Sequence, residues 1–249
     1  MFKVITYKSY GDKGILIELG KEISEEINNR VVIFSQIIEK ENHSHITDVI
    51  PSYNSILVIY NPLEISYDDL INNIKSLEKK ISKIEKINYK VIHIPVIYGG
   101  EYGEDLEIVA NHNNLSKEDV VKIHSETYYR VYMLGFTPGF PYLGGMSEKI
   151  STPRKKTPRK QIKKGSVGIG GNQTGIYSTN SPGGWQIIGR SPLEFFDVKK
   201  SKPLLKPGEL IKFEPIDEKE YKRIKNMIEE EKFQVKTSLL EETSRWVIY

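Results

Sequence analysis

Between Gly135 and Arg190 the chain packs glycine, proline, arginine and aromatic residues so densely that no long helix can run through it. Proline removes an amide donor and fixes φ, and glycine destabilises a helix interior by about 1 kcal/mol relative to alanine. Short strands joined by tight turns are what such a segment can form, so a compact β-barrel or sandwich is expected. The chain has 249 residues, and at roughly 150 residues per domain this bounds it to one or two domains. It contains no cysteine. Disulfides, thiolate metal sites, iron–sulfur clusters and cysteine nucleophiles are thereby excluded. No metal site is expected from the remaining residue types either.

The net charge of +3 is small for a nucleic-acid binder, and no DNA-binding motif accompanies it. No apolar run approaches the roughly 18 residues of a membrane-spanning helix. The first residues, MFKVITYKSYGDKG, lack the apolar block of a secretory signal. A cytoplasmic location with no membrane partner is the expectation.

The first ~90 residues read as small alternating elements. Phe2–Thr6 and Gly14–Leu19 are expected strands. Ser24 is an expected N-cap, with Glu25 and Glu26 suited to the positive end of the helix dipole. Ile27, Val31, Phe34 and Ile38 follow on one helical face. Strands Ile46–Ile50 and Ser55–Tyr60 flank a PSYN turn, and Ser66 with Asp69 has the spacing of a capping box. Leu70, Ile74, Leu77 and Ile81 form the stripe of that second helix. With a strand at Asn88–Val96 the order approaches β-α-β-β-α-β. This predicts an α+β chain in which residues 1–92 form a small N-terminal α/β sandwich.

Residues 93–231 are expected as a β-barrel domain ending in a helix, and residues 232–249 as a tail or interface arm. Helices are expected near Glu104–Asn111 and after Ser116, which Asp119 boxes. Expected strands are Tyr129–Leu134, Ser166–Gly170, Gln186–Gly189, Glu194–Val198 and Glu209–Glu214. Asp217 opens the last helix, whose apolar face holds Tyr221, Ile224, Met227 and Ile228.

Three blocks could carry chemistry. In GFTPGFPYLGG, Gly135–Gly145, prolines stiffen a turn that presents Phe136, Phe140 and Tyr142, either as packing or as a pocket wall. In the second, Thr-Pro-Arg occurs twice, ending at Arg154 and Arg159, within a run from Lys149 to Lys164 that has eight basic side chains and no acidic one. Guanidinium forks bind carboxylate or phosphate bidentately, although a solvated basic loop has the same composition. The third block, Gly165–Pro192, could form a backbone anion nest at Gly168, Gly170 and Gly171. It also offers the Gln173 amide, an indole at Trp185 and a guanidinium at Arg190. It is not a P-loop, because no Lys-Ser or Lys-Thr follows its glycines.

Five histidines are present. His124, at the end of a short helix, ranks first as a candidate acid or base, with helix capping as its structural alternative. No Ser-His-Asp order and no H-E-x-x-H is found, so the chain has no self-contained catalytic machine legible in its sequence.

The stretches Ile94–Ser116, Tyr129–Gly145, Thr152–Arg159 and Gly165–Pro192, in this order and spacing, resemble the KipI family, also known as PxpB, the B component of 5-oxoprolinase, or as allophanate hydrolase subunit 1. Ile97 departs from it where many relatives carry cysteine. The resemblance implies a cyclophilin-like barrel after a small α+β domain, working inside a complex. It implies an ATP-dependent 5-oxoprolinase in which this chain partners subunits A and C, with ATP required by the complex and not bound by the isolated chain. It also leaves two other roles: a KipI-type inhibitor that binds a sporulation histidine kinase, and a component of a urea- or allophanate-type carboxylase or hydrolase. Within it, Phe136, Phe140, Tyr142, Arg154, Arg159, Gln173, Trp185 and Arg190 are the expected substrate-site residues.

Overall fold

The computed structural model describes residues 5–41, 44–83 and 88–241, and the chain divides into two units, Met1–Ile87 and Asn88–Tyr249. In the first unit a hairpin, β1 (Thr6–Tyr10) and β2 (Gly14–Glu18), precedes helix α1 (Glu25–Lys40). Strands β3 (Ile46–Pro51) and β4 (Ser55–Tyr60) and helix α2 (Tyr67–Leu77) complete it. The sheet is antiparallel in the order β1-β2-β4-β3.

Alternation along the strands puts Ile15, Ile17, Ile56 and Val58 on one face, where they pack with the helical stripes Ile27, Val31, Phe34, Ile38 and Leu70, Ile74, Leu77. Ser24 and Ser66 cap the two helices by accepting from the amides of Ile27 and Asp69. The buried Asn28 side chain donates to the carbonyls of Ser52 and Tyr53, which ties α1 to the β3–β4 turn.

The expected element order changes in two places. The first strand is Thr6–Tyr10, turned back by Gly11 at φ +64°; residues 2–4 of the strand expected there lie outside the described residues. The strand expected to close this sandwich instead begins the second unit, so the first has the order ββαββα. That strand, β5 (Asn88–Tyr98), runs eleven residues and is buried on both faces from Val91 to Ile94, apart from the slightly exposed His93. A strand with two apolar faces belongs in a closed sheet with cover on both sides. The units accordingly divide after Ile87 rather than after residue 92.

The second unit holds α3 (Leu106–His112), α4 (Lys117–Glu126), β6 (Tyr128–Leu134), β7 (Pro141–Gly144), β8 (Arg159–Ile162) and β9 (Ser166–Gly170). It continues with β10 (Gln173–Ile176), β11 (Ser181–Gly183), β12 (Gln186–Arg190), β13 (Phe196–Asp197), β14 (Lys202–Pro203), β15 (Leu210–Pro215), α5 (Glu218–Glu229) and β16 (Thr237–Glu241). Seven strands, β12-β9-β10-β7-β6-β15-β5, form a barrel that closes through β12–β5. Its interior is filled by Ile92, Ile94, Val96, Tyr129, Val131, Val167, Ile169, Ile176, Ile188, Ile211 and Phe213.

The strand expected at Glu194–Val198 contracts to Phe196–Asp197, paired with Lys202–Pro203. Residues 237–241, expected within a tail, are a strand on β5; residues 242–249 of that expected tail lie outside the described residues. The two edges of β5 explain the added strand: β12 covers only Ile97 and Tyr98, which leaves the earlier half of that edge to β16. Among the described residues no helix is long and apolar enough to cross a membrane.

Candidate functional site

Cross-strand partners share a sheet face. In the β9–β10 hairpin, Val167 pairs with Ile176 and Ile169 with Thr174, and these side chains point into the barrel. The alternate pairs, Gly168 with Gly175 and Gly170 with Gln173, face outward. Three of those four positions have no side chain, so they form a flat floor. The Trp185 indole lies on it: a Cβ on Gly170 would stand 2.6 Å from ring atoms Cδ1 and Nε1, and one on Gly175 would stand 3.0 Å from Cζ3.

Phe140 meets Trp185 edge to face with centroids 5.8 Å apart, and meets Tyr177 at 5.6 Å, Tyr142 at 5.4 Å and Phe136 at 5.5 Å. The two Gly-rich blocks therefore converge on one aromatic cluster outside the barrel, separate from its core. Phe136 is its exposed member, at 64%. Its backbone has φ +60°, a region that L-residues other than glycine enter at a cost of roughly 1–2 kcal/mol. The turn holds it there: the Gly135 amide donates to the Phe140 carbonyl and the Phe140 amide to that of Thr137.

The basic segment borders this cluster and is tied down along its length. Thr152 and Gly171 exchange backbone hydrogen bonds, Gln186 Nε2 donates to the Pro153 carbonyl, and the Lys155 amide donates to the Gly184 carbonyl at 2.7 Å. Arg154 projects from between these pins with its guanidinium carbon 5.7 Å from the Trp185 ring centroid, a cation–π contact. Arg159 Nη2 donates to Asp105 Oδ1 at 2.8 Å. Lys155 Nζ donates to the same oxygen at 3.1 Å, and the Ile187 amide donates to Oδ2 at 2.7 Å. Burial alone would raise the Asp105 pKa, but the bonds from Arg159, Ile187 and Lys155 outweigh it and hold the carboxyl below its ordinary value. The Tyr177 phenol is pushed up by burial, against the opposing pull of the Trp185 backbone and of Arg154 and Arg159.

Of the expected site residues, the structure thus brings together Phe136, Phe140, Tyr142, Arg154, Arg159 and Trp185. Gln173 lies half-buried on the same outer face, opposite Gly170. Arg190 does not join them. It lies at the far end of β12 over the Tyr102 ring, 5.5 Å from its centroid, where Tyr102 packs on Tyr221.

The anion nest is absent. Gly168 and Gly170 are in extended ladder positions, where successive amides point opposite ways, and the Gly171 amide donates to Thr152. These glycines make room for an indole instead.

His124 is likewise corrected. It is fully buried, stacked on Phe213 with centroids 4.4 Å apart. Its Nε2 lies 2.9 Å from Thr174 Oγ1, and that hydroxyl donates to the Gly168 carbonyl. Nε2 therefore carries the proton, and Nδ1 accepts from the Tyr98 hydroxyl at 2.8 Å. Burial pulls its pKa down to about 3. A neutral ring with both nitrogens paired and no solvent access is a core element, neither a charged cap nor an acid–base catalyst.

Asp105 belongs to the site although no sequence motif marks it as a candidate. A usable signal is present all the same: a segment with eight basic and no acidic side chains must take any ion-pair partner from outside itself, and Asp105 lies within Ile94–Ser116.

The family model for the carboxyltransferase domain, subdomain C and D, matches residues 5–206. The chain is 44% identical over 223 residues to the B component of 5-oxoprolinase from Bacillus subtilis, covering 85% of this chain and 92% of that one. A crystal structure of TTHA0988 superposes with a TM-score of 0.73 at 34% identity, covering 82% of this chain and 40% of that one. The Kluyveromyces lactis urea amidolyase structure, at 22% identity and a TM-score of 0.73, covers 96% of this chain and 16% of its own, and shares the fold. The chain belongs to the carboxyltransferase subdomain C and D family, on the branch of the 5-oxoprolinase B components.

Proposed function

We propose that this chain is the B component of an ATP-dependent 5-oxoprolinase, acting in the cytoplasm with subunits A and C to open 5-oxo-L-proline to L-glutamate. The observation that carries this reading is the 44% identity to a 5-oxoprolinase B component along nearly its whole length. The site chemistry agrees with it. In the reaction the oxygen of water joins the lactam carbonyl carbon, the carbon–nitrogen bond breaks, and the ring nitrogen leaves as a protonated amine. Substrate and product both carry a carboxylate, which suits a guanidinium, and the small lactam ring suits the exposed face of Phe136, backed by the Phe140–Trp185 cluster.

In this reading the chain binds and orients the lactam, while ATP acts at the level of the complex. A urea-type substrate has weaker support, because the urea amidolyase likeness at 22% identity speaks for the fold alone.

The test is co-expression with subunits A and C and measurement of glutamate formed from 5-oxo-L-proline. ATP-dependent glutamate release that needs this chain is the expected result. Equal release without it, or none in the full mixture, overturns the assignment.

A further inference from the structure

The two Thr-Pro-Arg repeats are alike in sequence and opposite in situation. Arg159 has both terminal nitrogens engaged: Nη2 with Asp105 and with Glu104 at 3.3 Å, and Nη1 with the Trp185 carbonyl at 3.5 Å. Lys155 is held by the same Asp105 oxygen. Arg154 is exposed and, among the described residues, has no carboxylate within ion-pair distance. Its backbone is nonetheless fixed on both sides, through the Pro153 carbonyl and the Lys155 amide. A fork held in place before a ligand arrives loses little entropy on binding one. The cation–π contact with Trp185 orients that fork while leaving its N–H edges open.

From this asymmetry we infer that Arg154 is the specificity-determining residue that reads the substrate carboxylate, and that Asp105 is a positioning residue that withholds Arg159 and Lys155 from it. The inference rests on the reading of the site given under Proposed function. Without Asp105, three cations would border one aromatic wall and a small anion could be gripped in several orientations. With Asp105, of these three only Arg154 remains available, and the lactam carbonyl has a defined place relative to it. Charge in this site thus sets orientation as well as affinity.

The experiment uses the reconstituted complex, with 5-oxo-L-proline as substrate and 2-pyrrolidinone, the same lactam without its carboxylate, as inhibitor. Arg154→Ala is expected to raise KM for 5-oxo-L-proline at least tenfold and to leave the inhibition constant of 2-pyrrolidinone unchanged, with partial rescue by Arg154→Lys. Arg159→Ala is expected to leave the ratio of those two constants as in the wild type. Asp105→Asn, which keeps the size and one acceptor oxygen, is expected to lower kcat at least tenfold without raising KM, because the released cations still attract the anion but misplace it. A merely structural Asp105 would lower only the active fraction, and a kcat that returns to the wild-type value after correction for folded protein overturns the positioning role.

An Arg154→Ala complex in which both constants stay at wild-type values or rise together overturns the inference, as does Arg159→Ala being the variant that changes the ratio. In either case a wild-type complex that releases glutamate leaves the functional reading standing. A wild-type complex that releases none overturns that reading and the inference with it.

Discussion

Gly170 and Trp185 are in such close contact that a Cβ on the glycine would stand 2.6 to 2.8 Å from three atoms of the indole. Real side chains do not approach so closely, so any substitution at this position must move the ring. The ring is 7% exposed and has Phe140 and Tyr177 against its faces and edges, so it has little room to yield. Gly170→Ala should destabilise the barrel by about 1–3 kcal/mol through overpacking and shift the Trp185 indole N–H resonance. Thermal unfolding and a two-dimensional NMR spectrum check both effects. A variant of wild-type stability with an unmoved indole signal would show that the floor is not packed as described.

His124 makes stability depend on pH over a defined window. Its folded-state pKa is about 3, against 6.5 in the unfolded chain. Between those values the unfolded state holds the extra proton, so stability is highest above pH 6.5 and falls as pH drops below it. The slope approaches about 1.4 kcal/mol per pH unit, or roughly 2 kcal/mol between pH 6.5 and 5. His124→Gln removes the titrating group and should flatten this part of the profile while lowering stability at pH 7, where Tyr98 and Thr174 lose well-placed partners. Urea denaturation at pH 7 and pH 5 decides it; an identical slope in the variant would assign the proton uptake to another group.

Asp105 gives a second expected loss. Replacing it with alanine leaves the buried Ile187 amide without an acceptor and frees Arg159 and Lys155 from their shared anchor. Both cations are partly exposed and can turn to water, so the expected cost is about 2–4 kcal/mol, near the lower end for a broken buried pair. The linkage runs opposite in origin to that of His124. A carboxyl whose folded pKa is lowered contributes stability above its unfolded pKa of 3.8, and that contribution is lost as pH falls through the folded value. The stability difference between the wild type and Asp105→Ala should therefore shrink as pH falls below about 3.8 toward the folded value; a difference that stays constant with pH would contradict this.

How much of this was legible in the sequence depends on what each residue faces. The stripe Ile27, Val31, Phe34, Ile38 declares a helix because its period is local, and its burial follows. Strand β10 declares nothing: four residues, one a glycine, with a threonine turned inward toward His124. Its partner glycines look like a backbone anion nest, since sequence records a missing Cβ but not the indole occupying the space. The paired Thr-Pro-Arg repeats also look equivalent until the fold places Asp105 beside only one of the arginines. Contacts at long sequence separation decided the cases that periodicity could not.

Strand β16 tests whether the barrel needs its last strand. His93 spans the junction, with Nδ1 2.8 Å from Glu214 on β15 and Nε2 2.8 Å from Ser238 on β16. Ending the chain after Val235 removes Ser238 and the Lys236–Glu214 ion pair and bares the edge of β5 along Tyr89–Ile92. A bared strand edge pairs readily with another chain. The truncated protein should melt at lower temperature and self-associate as its concentration rises, which light scattering reads. A monodisperse truncation with an unchanged midpoint would make β16 dispensable.

Phe136 separates stability from function. Its ring is 64% exposed, and its backbone has φ +60°, a conformation natural to glycine. A residue selected for the stability of this turn would be glycine, so the strain is retained for what the ring presents beside Phe140. Phe136→Gly relieves roughly 1 kcal/mol of backbone strain while adding freedom to the unfolded chain and removing little buried area. Its thermal midpoint should stay the same or rise slightly. Turnover of 5-oxo-L-proline by the reconstituted complex should fall at least tenfold, as one face of the lactam site is lost. Phe136→Leu keeps an apolar side chain but not the flat face, and should fall between the two. Wild-type turnover in Phe136→Gly would remove the exposed ring from the site.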